Sequence, residues 1–255
     1  MGDLYRKIGF FDSGVGGISV LQEAVRLLPH EDFIYYGDNA NAPYGSKCEE
    51  KILALTQKAV SKLLTYDIKA LVIACNTATS AAAKTLRAQL EIPVIGMEPP
   101  LKPAQEHRQN GQIIVLATQA TLRQEKFRLL MQRYGEGAVC IPGNGLVELV
   151  EQGIFEGVQV DTVLHQILDK PLKKQTDSVA LGCTHYPFLR KAMRKIIGKD
   201  IEIFDAAGGT TRQLRRVLEA EGLLRTEGNG SVTLLSSSED AGVQLLMQKL
   251  LHHPI

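Results

Sequence analysis

The stretch ALVIACNTATS, residues 70–80, decides how this chain folds, because SVALGCTHYP at residues 178–187 repeats its plan. Each is a short apolar run followed by Cys and then by small hydroxyl or amide side chains. Leu71 to Ala74 reads as a buried parallel strand, and Cys75, Asn76 and Thr77 fall where that strand gives way to a helix of Ala and Leu. Val179 to Leu181 delivers Cys183, Thr184 and His185 to the equivalent place. In open α/β sheets, ligands bind at that edge, outside the carboxyl ends of the strands.

Working outward from the two cysteine strands, the flanking segments also come in pairs. KIGFF at 7–11 makes a strand, DSGVGG at 12–17 a tight turn, and a helix runs from about Ile18 to Leu28. Gly14, Gly16 and Gly17 would let backbone amides approach an anionic ligand at that helix start. The spacing is neither GxGxxG nor a Walker loop. Asp12 reads either as the helix N-cap or as a site residue. DFIYYGD at 32–38 is a β-type run, and in the following loop Pro43, Tyr44 and Gly45 form a turn over the same edge, offering a backbone N–H and a phenol. An amphipathic helix from about Cys48 to Tyr66 leads into the Cys75 strand, and another strand follows at 92–95. QIIVLATQATLRQEKF at 112–127 then mirrors the opening strand, turn and helix, with Thr118 and Thr121 near the turn. Cys140, in GAVCIPG, reads as core, and Cys48 as structural or incidental. The helix at GLVELVEQG puts Glu148 and Glu151 one turn apart.

The offsets support an internal duplication: Asp12 to Cys75 spans 63 residues and Thr118 to Cys183 spans 65. The expected fold is α/β, with two similar three-layer domains on mainly parallel sheets, related by a pseudo-twofold axis, and a site in the cleft between them. A strand at 231–237 and a helix at 239–251 remain after the second copy and are expected to return to the first sheet. The domains are therefore drawn as 1–97 plus 208–255, carrying Cys75, and 98–207, carrying Cys183, with short hinges between them.

The 255-residue chain can bury a substantial core. Its 29 basic and 28 acidic side chains give a net charge of +1, so no global field points to nucleic acid or an anionic membrane. No run approaches the ~20 apolar residues of a membrane span and no signal-peptide core opens the chain, which leads to a cytoplasmic expectation. The four cysteines, at 48, 75, 140 and 183, have no CxxC spacing, which argues for reduced thiols over a disulfide framework or a zinc site. Thiolates are the reactive form, and two thiols facing across a cleft could take a proton from one face of a carbon and return one to the other. A Cys after an apolar strand is also simply a small buried residue, and a His near a strand end often a satisfied one. The duplicated context is what favours chemistry.

FDSGVGG at 11–17, YYGDNANAPYG at 35–45, ACNTAT at 74–79, EPPLKPA at 98–104, LVELVE at 146–151 and LGCTHYP at 181–187 together resemble the glutamate racemase family. The resemblance implies a cofactor-independent enzyme that supplies D-glutamate for bacterial peptidoglycan, holds no metal and forms a homodimer. It implies that Cys75 acts on the α-proton of D-glutamate and Cys183 on that of L-glutamate, assisted by Asp12 and His185. Ser13, Pro43, Tyr44, Gly45, Asn76, Thr77, Thr118, Thr121 and Thr184 join Asp12 and His185 around the substrate. Two departures stand out: Ala117 and Ala120 where many relatives have Gly, and Ala206 where many have Ser. Racemisation of another acidic amino acid such as aspartate, non-catalytic binding of a small anion, and cysteine hydrolysis are the alternatives; the last gives two symmetric cysteines no purpose.

Overall fold

Two parallel sheets carry the chain, and the computed structural model describes residues 3–255. The first run comprises β1 (Lys7–Asp12), α1 (Ile18–Leu27), β2 (Phe33–Gly37), α2 (Glu49–Leu64), β3 (Ile68–Ile73), α3 (Asn76–Gln89) and β4 (Val94–Gly96). The second opens with α4 (Leu101–His107), β5 (Gln112–Ala117), α5 (Gln119–Arg123), α6 (Glu125–Tyr134) and β6 (Ala138–Pro142). It continues through α7 (Leu146–Glu151), α8 (Val158–Leu168), β7 (Thr176–Gly182), α9 (Arg190–Ile197) and β8 (Glu202–Phe204). Last come α10 (Ala207–Ala220), β9 (Val232–Ser236) and α11 (Ala241–Leu251).

The sheets have the orders β4-β3-β1-β2-β9 and β6-β5-β7-β8, and every pairing is parallel. Read from β4 and from β8, the two orders coincide strand for strand, with β9 as the one addition, so the duplication is structural. Even an irregularity repeats: the register shifts between Lys7 and Ile8 where β1 meets β3, and between Gln112 and Ile113 where β5 meets β7. The final strand does join the first sheet, pairing Phe33–Gly37 with Val232–Ser236.

The apolar runs are continuous because helices cover both faces. Alternate residues of one strand therefore enter different cores. Ala70, Val72 and Ala74 pack with Phe10 and Tyr35 on one face, while Leu71, Ile73 and Cys75 pack with Phe11 and Ile34 on the other. The first of these cores runs on into the second sheet through Leu116, Val179 and Leu181, so the halves share apolar contact beneath the cleft. Lys69 is buried, and its Nζ donates to Glu31 Oε2 at 2.6 Å and to the Leu4 and Leu223 carbonyls at 2.7 and 2.9 Å. All three donors are used, and the last ties the chain after α10 to the first sheet.

One sequence expectation fails here. Cys140 is exposed, not core, because β6 is the edge strand of its sheet and presents Val139 and Cys140 outward. Its Sγ donates to the thioether sulfur of Met131 at 3.7 Å. Cys48 is also exposed, at the start of α2.

Candidate active site

The carboxyl ends of β1, β3, β5 and β7 converge on one cavity of about 230 Å³, and both Cys75 and Cys183 line it. On the first-sheet wall, Cys75 sits at the N-terminus of α3, where its Sγ accepts the N–H of Ala78 at 3.4 Å. The Ser13 hydroxyl lies 3.5 Å from the same sulfur. Burial and the neighbouring Asp12 charge push the Cys75 thiol up to about 12, against those two hydrogen bonds. Asp12 is itself fully buried, and burial lifts its carboxyl to about 6 in spite of the nearby His185 charge and the hydrogen bonds from Gly14 N–H at 2.8 Å and Thr184 Oγ1 at 3.1 Å. Asp12 does not cap α1, whose N-cap is Gly17 without a side-chain bond.

On the opposite wall, Cys183 follows β7, and its Sγ lies 3.6 Å from His185 Nδ1. No α-helix follows at once: Tyr186–Leu189, with Pro187 in its first turn, makes a 3₁₀ segment before α9. His185 Nε2 lies 2.7 Å from Glu151 Oε1. Burial alone would lower the imidazole, but the bonds to Cys183 and Glu151 outweigh it and hold His185 protonated well above its ordinary range. Burial likewise works to raise Glu151, and the His185 bond and charge outweigh it, leaving the carboxyl below its usual value.

Glu151 explains the glycine loop. Its Oε1 accepts the Val15 N–H at 2.8 Å and its Oε2 the Asn39 side-chain amide at 3.2 Å. A Cβ on Gly14 would lie 1.9 Å from Glu151 Oε1, and one on Gly16 would lie 2.3 Å from His185 Nδ1. The loop does offer an amide to a carboxylate across the cleft, but only the Val15 N–H, and that carboxylate is a side chain of the other half; the Gly14 N–H serves Asp12. The glycines are there so that Glu151 and His185 can come this close.

Of the residues expected at the site, Ser13, Pro43, Tyr44, Gly45, Asn76, Thr77, Thr118, Thr184 and His185 line the cavity together with the two cysteines. Asp12 stands behind Ser13 and Thr184 without lining it, and Thr121 lies behind Thr118. Thr77, Thr118 and Thr121 form a closed triangle of hydroxyls at 2.9 to 3.2 Å that bridges the halves. The Tyr44 phenol, expected to face a ligand, donates instead to Asp38 Oδ2 at 2.6 Å. Asn76 is the opposite case: its side-chain amide is buried, and neither Oδ1 nor Nδ2 has a partner. A buried amide without partners has hydrogen-bonding capacity left over, and Asn76 is among the residues that line the cavity.

Sequence reasoning assigned no role to Glu148, Glu151 or Asp38. The first two line the cavity, and their one-turn spacing on α7 was the signal available; Asp38 carried none until its contact with Tyr44 was formed. The departures find local compensation. A Cβ on Gly182 would lie 2.8 Å from that of Ala117, so the glycine needed between these two strands stands on β7. Beside Ala206, Asp205 Oδ1 accepts the N–H of Ala207 at 2.9 Å, at the start of α10.

A two-lobed α/β protein with one thiol on each wall of a shared cavity, each thiol with an ionisable side chain near it, is the class this fold and site define. The Asp/Glu/hydantoin racemase family model matches residues 12–214. The chain belongs to that family. It is 46% identical over 250 residues to a glutamate racemase of Clostridium botulinum, covering 96% of this chain and 97% of the relative. The structure of a glutamate racemase from Bacillus anthracis superposes with a TM-score of 0.88 at 31% identity, covering 98% of this chain and 96% of that one. A glutamate racemase of Francisella tularensis, solved with D-glutamate, gives a TM-score of 0.82 at 27% identity, covering 97% and 94%. No helix among the described residues is long and apolar enough to cross a membrane.

Proposed function

We propose that this chain interconverts L- and D-glutamate by a two-base exchange of the α-proton, Cys75 working on D-glutamate and Cys183 on L-glutamate. What carries the reading is the placement of two buried thiols on opposite walls of one cavity, each with an ionisable partner. An α-carbon held between them loses its proton to one sulfur and gains one from the other, which inverts it.

The two walls differ in charge, as the cycle requires. Beside Asp12 the Cys75 thiol keeps its proton; beside Cys183 stands an imidazolium whose Nδ1 can donate to the sulfur. When Cys75 gives its proton to the substrate, Asp12, lifted to about 6, can take one up near neutrality and remove the charge that opposes the thiolate. The open amide of Asn76 and the hydroxyls of Ser13, Thr77, Thr118 and Thr184 supply donors for the substrate carboxylates and for the charge that develops in the carbanion. Pro43, Tyr44 and Gly45 close the cavity above them, and Thr121 acts through Thr118. Glu151 orients His185.

The functional units in this reading are residues 1–97 with 208–255, and 98–207. The product serves peptidoglycan synthesis in the cytoplasm, and the active form is a homodimer, which sedimentation velocity tests. Proton NMR with D-glutamate in heavy water, alongside circular dichroism, tests the reaction. Loss of the α-proton signal with decay of optical activity to zero is expected. Exchange with aspartate but not glutamate would move the substrate, and ligand-induced stabilisation without exchange would leave a binding protein.

A further inference from the structure

A second chamber of about 340 Å³ adjoins the active-site cavity and shares Gly45, Ser46 and Gln119 with it. The inner cavity is lined by Glu148 and Glu151 and by no Lys or Arg, and the His185 imidazolium on its wall is already paired with Glu151 at 2.7 Å, so a substrate with two carboxylates meets little unpaired positive charge as it enters. The outer chamber holds the missing cations, Lys47 and Arg123, against one acid, Glu49. Lys47 Nζ donates to the Pro43 carbonyl at 2.8 Å and Arg123 Nη2 to Gln119 Oε1 at 3.4 Å. Neither forms an ion pair among the described residues, so both charges are uncompensated at short range.

Gln124 is only 8% exposed; its Nε2 donates to the Thr77 carbonyl at 3.1 Å, and its Oε1 is buried without a partner. The lining also grades from inside to outside: Cys75 and Cys183 are 6% and 8% exposed, whereas Ser46, Gln119, Asn144 and Glu148 on the rim are exposed. Gln119 Nε2 reaches Asn144 Oδ1 at 3.3 Å, so Arg123, Gln119 and Asn144 form a chain along the boundary between the chambers.

We propose that substrate enters through this outer chamber, where Arg123 and Lys47 draw in its carboxylates. The inference rests on the glutamate reading above. Rim charges act on capture and on its salt dependence more than on the chemical step.

The test is steady-state racemisation of glutamate by the full chain at about 20 and about 200 mM salt. Arg123→Gln should lower kcat/KM about threefold with kcat within about twofold, and Lys47→Met/Arg123→Gln about tenfold, with a flattened response to salt. Arg123→Lys, which keeps the charge, should restore most of the loss. A double variant with wild-type kcat/KM and wild-type salt response would overturn the entrance, as would a loss confined to kcat, which would assign the cations to closure of the cleft. A wild type inert towards glutamate would instead remove the catalytic reading, and this inference with it.

Discussion

Cys75 and Cys183 end equivalent strands, β3 and β7, yet their surroundings carry opposite charge. Cys75 has a buried carboxylate near it and a hydroxyl against it; Cys183 has a protonated imidazole, itself held by Glu151. Duplication produced two copies of the backbone and two sulfurs, and divergence of the residues beside them set the proton inventory. The proposed exchange needs one proton acceptor and one proton donor at each turnover, and unlike neighbours decide which sulfur holds the proton.

The partners are also exchanged between the walls. Asp12, which belongs with Cys75, accepts from Thr184 beside Cys183, and His185 is oriented by a carboxylate seated on the Val15 amide of the first half. Each half is thus completed by the other. The site exists only when the glycine loop and α7 meet.

The largest effect that probes this comparison is loss of a sulfur. Cys75→Ala and Cys183→Ala should each lower racemisation by about 10³-fold or more in both directions, with an unchanged far-ultraviolet dichroism spectrum. Full activity in either variant would end the two-base assignment. Glu151→Gln should cost about 10- to 100-fold, the worth of a hydrogen bond between charged groups. Because the enantiomers are equally stable, kcat/KM must fall equally from both sides; the asymmetry should appear as a larger α-deuterium isotope effect with L-glutamate than with D-glutamate. Equal isotope effects would mean that Glu151 serves both walls alike.

Asp12 gives a stability test with a definite sign. Its folded carboxyl stands at about 6 against an ordinary value of 3.8, so between those values the native state binds the extra proton and stability declines as pH rises. Asp12→Asn removes that dependence. The unfolding free energy of the variant relative to wild type should therefore improve by about 2–3 kcal/mol from pH ~4 to pH ~7 and then level off. A pH-independent difference between the two proteins would contradict the buried, proton-sharing carboxyl. Smallest of all, Cys48→Ala and Cys140→Ala should leave turnover within about twofold, since both thiols are exposed and neither lines the active-site cavity.

Much of this was legible in the sequence, and the reason differs by residue. Runs such as Leu71 to Ala74 and Val179 to Leu181 announce strands buried on both faces, and the repeated Cys with its polar neighbours marks the equivalent edges. What the sequence did not disclose depends on one half meeting the other. Gly14 and Gly16 look like an anion loop, and only the approach of α7 shows that the anion is Glu151. Tyr44 looks free until Asp38 accepts its hydroxyl. Cys140 reads as core from an apolar run, but strand order alone decides that β6 is an edge. Local pattern fixes elements and their faces; pairing across a cleft and position within a sheet are long-range facts.

The most direct test of two thiols on two faces is the fate of solvent deuterium in the first turnovers from L-glutamate. Two bases predict deuterium in the D-glutamate formed while the remaining L-glutamate keeps its proton. Deuterium appearing in recovered L-glutamate as fast as in the product would place both transfers on one base and contradict the account.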